Sequence, residues 1–123
     1  MDTRLIEKRH YTKDESSAAV LGALELALRE MGFEVSVNDD HLVGKRGSIL
    51  FVRFFGAFFV RRERLPVLVD AQIAGDNGRE LIVQVSDNWG WGFRFGLEEV
   101  YRPLFADIFG AVEHRLTESR VIQ

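Results

Sequence analysis

The chain contains no cysteine. That excludes disulfides, thiolate nucleophiles and thiolate-bound metal centres. Proline is scarce, with two residues among 123, and no compositional tract stands out, which excludes collagen-like, coiled-coil and wholly disordered readings. There is no long hydrophobic run. The most apolar stretch, residues 49–60, is broken by Arg53, whereas a membrane-spanning helix needs roughly 20 apolar residues. Residues 1–13 hold only Leu5 and Ile6 as a bulky apolar pair, too little for the apolar segment of about 7–15 residues in a secretory signal. These absences lead us to expect a cytoplasmic protein with no membrane span. Neither sign of charge dominates: 16 Lys and Arg stand against 19 Asp and Glu, a net charge of −3. Nucleic-acid modules usually carry a basic excess, so that partner is disfavoured. No H-E-x-x-H pair, phosphate-binding loop or G-x-S-x-G elbow occurs, and no cofactor is implied.

The length fits one domain, since domains cluster at roughly 100–150 residues. We read residues 1–123 as a single domain, with residues 1–12 as a flexible N-terminal arm. Thr12 and Glu15 have capping-box spacing. Val20, Leu24, Ala27, Leu28 and Met31 then form one helical stripe, and Gly32 suits a left-handed stop, which predicts a helix over 14–31. The period changes to two at Phe33, Val35 and Val37, and Asn38-Asp39-Asp40 turns the chain into a return strand over 41–45. Pro66 opens a second set of strands. Val67, Val69, Ala71 and Ile73 share one face, Gly75-Asp76-Asn77-Gly78 makes a hairpin, and Leu81, Val83 and Val85 follow. Trp91, Phe93 and Phe95 line a third strand of this meander. Tyr101, Leu104, Phe105, Ile108, Val112 and Leu116 predict a helix over about 99–117, with Pro103 tolerated only in its first turn.

Segment 49–64 is ambiguous. As a strand it is apolar on both faces; as a helix it separates Phe51, Phe54, Phe55, Phe58 and Phe59 from Arg53, Arg61 and Arg64, and we favour the helix. The fold class is α+β: a two-layer sandwich with one antiparallel sheet of about five strands, six at most, and the N- and C-terminal helices on one face. Dimeric secretion chaperones and small adaptor domains share such an element order, and no motif ties the chain to either.

Two stretches carry unusual chemistry. Between residues 45 and 64 lie Lys45, Arg46, Arg53, Arg61, Arg62 and Arg64 against Glu63 alone, a local net charge of +5 in a chain of −3, so the remainder carries −8. The same stretch holds half of the ten phenylalanines. The second is Asn88-Trp89-Gly90-Trp91-Gly92-Phe93-Arg94-Phe95-Gly96, where rings alternate with glycines, as in strands approached closely by a ligand or another element. Together they suggest an aromatic-lined pocket between sheet and helices for an apolar, anionic small molecule. Phe55, Trp91, Phe93 and Tyr101 would contact its body, and Arg53 or Arg61 would fork onto its carboxylate or phosphate. The ordinary alternative is core packing with solvated arginines. Asp39, Asp40 and His41 are adjacent but sit on a turn, so no metal is expected.

The expected function is therefore a non-enzymatic binding or interaction module, acting as a homodimer. One alternative is a small enzyme using the same pocket, with Asp70, Glu98, Tyr101 or His114 as polar participants. The other is a protein-interaction adaptor or chaperone-like dimer.

Overall fold

The structure, a computed structural model, describes residues 5–47, 65–75, 78–88 and 97–122. In chain order these form β1 (Ile6–Thr12), α1 (Ser17–Glu30), β2 (Glu34–Asn38), β3 (His41–Arg46), β4 (Val67–Ala74), β5 (Glu80–Asp87) and α2 (Leu97–Glu118). The five strands make one antiparallel sheet in the order β1-β5-β4-β3-β2. The α+β expectation is met. The predicted strand at 91–95 and the ambiguous segment 49–64 lie outside the described residues.

α1 starts later than predicted. Thr12 belongs to β1, and the cap is Ser16, whose extended backbone (φ −61°, ψ 156°) aims Oγ at the Ala19 N–H, 3.2 Å away. The helix ends at a glycine stop, as expected. Gly32 takes φ 91°, Phe33 N–H donates to Leu28 O at 3.0 Å and Gly32 N–H to Arg29 O at 3.0 Å. That is the Schellman arrangement, and Phe33 and Leu28 share its apolar contact in the core. α2 also starts earlier than predicted, so Pro103 lies inside the helix and not in its first turn. Pro103 and Glu99 are both solvent-exposed, so the carbonyl that loses its partner there faces water.

The largest departure is at the N-terminus. Within the expected arm, Ile6–Thr12 form a strand that pairs along its whole length with β5, from Ile6↔Ser86 to Thr12↔Glu80. Lys13 bridges to Ile122 beyond the strand.

Side-chain parity fixes the two sheet faces. Leu42, Ala71, Val83 and Arg9 lie in register across β3, β4, β5 and β1, as do Gly44, Val69, Val85 and Glu7. This face meets both helices in one core, with Val20, Leu24 and Leu28 from α1 and Tyr101, Phe105 and Phe109 from α2. The opposite face carries His41, Asp70, Gln72, Gln84, Lys8 and His10. No described helix is long and apolar enough to cross a membrane.

Candidate functional site

One end of the sheet gathers three strand ends. β3 finishes at Arg46, β4 starts at Val67 and β5 finishes at Asp87, and the register pairs Arg46 with Val67 and Val67 with Asp87. The Pro66 carbonyl, just before β4, accepts two hydrogen bonds: from Asn88 N–H at 2.9 Å and from Tyr101 Oη at 2.9 Å. The second ties the start of α2 to the same place. Asp87 is 1% exposed. Its Oδ2 accepts from Leu5 N–H at 3.2 Å, and its own N–H donates to Leu5 O at 3.0 Å. Arg46 closes the other side, its guanidinium 4.7 Å above the Phe33 ring and its Nη1 donating to Met31 O at 2.9 Å. A cation on a ring and on a helix-terminal carbonyl suits the negative end of α1.

Residues 48–64 connect β3 to β4, and residues 89–96 connect β5 to α2. Arg53, Phe55, Arg61, Trp91 and Phe93 fall in these two stretches and lie outside the described residues. Tyr101 is described. It is fully buried, its ring 5.6 Å from that of Phe105, with its hydroxyl donated to Pro66 O. It packs the core beneath this end of the sheet.

The polar participants of the enzymatic alternative are not brought together. Asp70 Oδ1 lies 2.8 Å from His41 Nε2 on the outer sheet face. Glu98 pairs with Arg102 along α2 at 3.4 Å, and His114 with Glu118 at 3.4 Å further along it. Asp39 occupies the β2–β3 turn with φ 52°. Among the described residues no three His, Asp or Glu side chains are grouped as metal ligands.

A cluster that sequence reasoning missed joins β1 to α2. Arg9 Nη1 and Tyr11 Oη both donate to Glu113 Oε1 at 2.6 Å, and Arg9 Nε donates to Glu7 Oε2 at 3.1 Å. The Arg9 guanidinium also lies 4.5 Å over the Phe109 ring. The Glu113 carboxylate holds the Arg9 guanidinium above its ordinary value. Partial burial, reinforced by Glu113, pushes the Tyr11 hydroxyl well up. Burial acts to raise the Glu113 carboxyl, but the hydrogen bonds from Tyr11 and Arg9 outweigh it and hold the carboxyl below its ordinary value. Each partner thus stabilises the protonation state the others need. The arrangement is a clasp, and the parity shared by Glu7, Arg9 and Tyr11 was the available signal.

Concavities open on the described surface. One, of about 420 Å³, is lined by Glu34, Val35, Ser36, Val43 and Lys45 along β2 and β3. Another, of about 260 Å³, lies between the helices and is lined by Ala27, Glu30, Met31, Ala111, His114 and Arg115, with Arg115 bonded to Glu30. No protein-family model matches the chain, and no curated protein matches it.

Proposed function

We propose that the protein is a non-enzymatic binding module for an apolar anionic small molecule, with recognition assigned to residues 48–64 and 89–96. One observation supports this reading: both stretches leave and re-enter the fold at the same end of the sheet. Arg46, Val67 and Asp87 are neighbours in register, so their anchors span about 10 Å across three strands. The described residues that flank the densest arginine and phenylalanine stretch are therefore neighbours of the residue that leads into the tryptophan–glycine stretch. In this reading Arg53 and Arg61 take the anionic head, Phe55, Trp91 and Phe93 take the apolar body, and Tyr101 fixes the floor through Pro66. The protein works in the cytoplasm, as a homodimer. An enzyme would need two titratable groups converging on one cavity, and Asp70, Glu98 and His114 occupy separate places.

The test is a thermal-shift series with a fatty acid, an aryl carboxylate and a phosphate ester. A ligand at about 100-fold its Kd should add roughly 2.7 kcal/mol of stability. We expect at least one to raise the melting temperature, and the double variant Arg53→Ala/Arg61→Ala to abolish the rise. If none stabilises the wild type, or the rise survives in the double variant, the proposal is wrong.

A further inference from the structure

The two edges of the sheet differ in how they would meet a second copy. β1 presents Glu7, Lys8, Arg9 and His10 at its centre. An antiparallel self-pairing centred on Glu7, Lys8 or Arg9 sets that residue opposite its own copy, and like charges directly opposite are destabilising. β2 has no such block. The two-residue turn Asp39-Asp40 makes Asn38↔His41 a hydrogen-bonded pair. Alternation along the ladder then points the Ser36 and Glu34 backbone groups at β3, and those of Val35 and Val37 away from it, at an edge that no other described strand covers. The Val35 carbonyl confirms this phase, because it accepts from Arg29 Nη2 at 2.9 Å rather than from β3. Val37 is 43% exposed.

We propose that β2 is a self-association edge, pairing antiparallel with β2 of a second copy of this chain about a two-fold axis at Ser36. In that register all five residues of the strand overlap. Val35 lies opposite Val37 of the copy, Glu34 opposite Asn38, and Ser36 opposite itself, so no two like charges meet. Val35 and Val37 are the residues whose backbone donors and acceptors face outward, so the axis joins the two sheets through hydrogen-bonded pairs. The same pairing covers the exposed Val37 side chain. Arg29 gives up one hydrogen bond to Val35 O and keeps its ion pair with Glu25 at 2.9 Å. A five-residue seam is short of a standard interface, so the dimer should be weak and concentration-dependent. The proposal rests on the β2 backbone and is independent of the ligand reading.

Sedimentation velocity from about 1 to about 200 µM tests it, a range that brackets weak association. The wild type should pass from a 14.1 kDa species to twice that mass. Ser36 is exposed, so Ser36→Lys and Ser36→Glu should each keep the wild-type melting temperature yet stay at half the dimer mass, through repulsion across the axis. Mixing the two variants should restore the dimer mass. Val37→Pro should also be monomeric, since it deletes an outward N–H that β3 does not use. A wild type monomeric throughout the range overturns the proposal. So does a Ser36→Lys variant that dimerises as the wild type does, which would place association on the outer sheet face or the Phe-rich stretch.

Discussion

Tyr101 and Glu113 show how single side chains tie α2 to the sheet. Tyr101 fills the core with its ring and pins Pro66 with its hydroxyl. Tyr101→Phe should cost about 1 kcal/mol, the usual net worth of a hydrogen bond, because Asn88 N–H still satisfies the Pro66 carbonyl. Tyr101→Ala should cost about 3–5 kcal/mol by leaving an aromatic-sized cavity. Urea unfolding of the two variants separates these contributions. Glu113 predicts a pH response. Its carboxyl is held below the ordinary value in the fold, so its contribution is complete above the unfolded carboxyl pKa of about 4.3 and is lost as pH falls through the lower folded value. Tyr11 is shifted upward. Its contribution is complete below the unfolded value of about 10 and is lost as pH rises through the higher folded one. Glu113→Gln should therefore flatten the acid limb of a stability–pH profile, and Tyr11→Phe the alkaline limb. Unchanged limbs would show that the clasp does not contribute to folding.

At the scale of elements, legibility followed apolarity. α1 could be read because Val20, Leu24 and Leu28 repeat at helical spacing, and all three are fully buried. β4 and β5 could be read because Val67, Val69, Leu81, Val83 and Val85 alternate on one face. β1 could not, because its helix-facing residues are Glu7, Arg9 and Tyr11: Arg9 and Tyr11 rely on Glu113, about 100 residues away on α2, and Glu7 pairs with Arg9. A periodicity that counts only apolar side chains passes over a strand held by an ion pair and a ring stack. The start of α1 shifted for a local reason: Thr12 was committed to pairing with Glu80, leaving Ser16 to cap. The assigned site was legible only as residue types, since in the described part Tyr101 turns its one polar atom to the backbone. Two glycines test the packing. A Cβ at Gly22 on α1 meets nothing within 4 Å, so Gly22→Ala should stabilise by about 0.5–1 kcal/mol through helix propensity. A Cβ at Gly44 on β3 would stand 3.3 Å from Leu28 Cδ1 and 3.5 Å from Phe33 Cδ2. Gly44→Ala should thus destabilise by about 1–3 kcal/mol as an overpacked site. Thermal unfolding should move the two variants in opposite directions.

For the whole molecule, the decisive question is whether β1 belongs to the cooperative unit. The sheet could be imagined as β5-β4-β3-β2 with an N-terminal arm laid beside it. The contacts argue otherwise. β1 supplies seven residues of pairing to β5, covers the Phe109 ring with Arg9, and closes the Glu113 clasp. Its continuation, Lys13 and Asp14, bonds to Arg79 O at 2.9 Å and Val121 O at 2.8 Å, so the same segment also holds the end of α2. Deleting residues 1–12 would strip a full edge from β5 and leave Leu81, Val83 and Val85 beside an unpaired backbone, which invites intermolecular pairing. We expect that truncation to lose at least about 3 kcal/mol in urea unfolding, beyond the range of ordinary surface changes, and to scatter light at concentrations where the full chain is clear. A detachable arm would leave both the unfolding midpoint and the scattering unchanged. Arg9→Ala alone should fall between these extremes: it uncovers Phe109 and orphans part of Glu113 while leaving the backbone ladder intact, so its cost should be about 1–2 kcal/mol without aggregation.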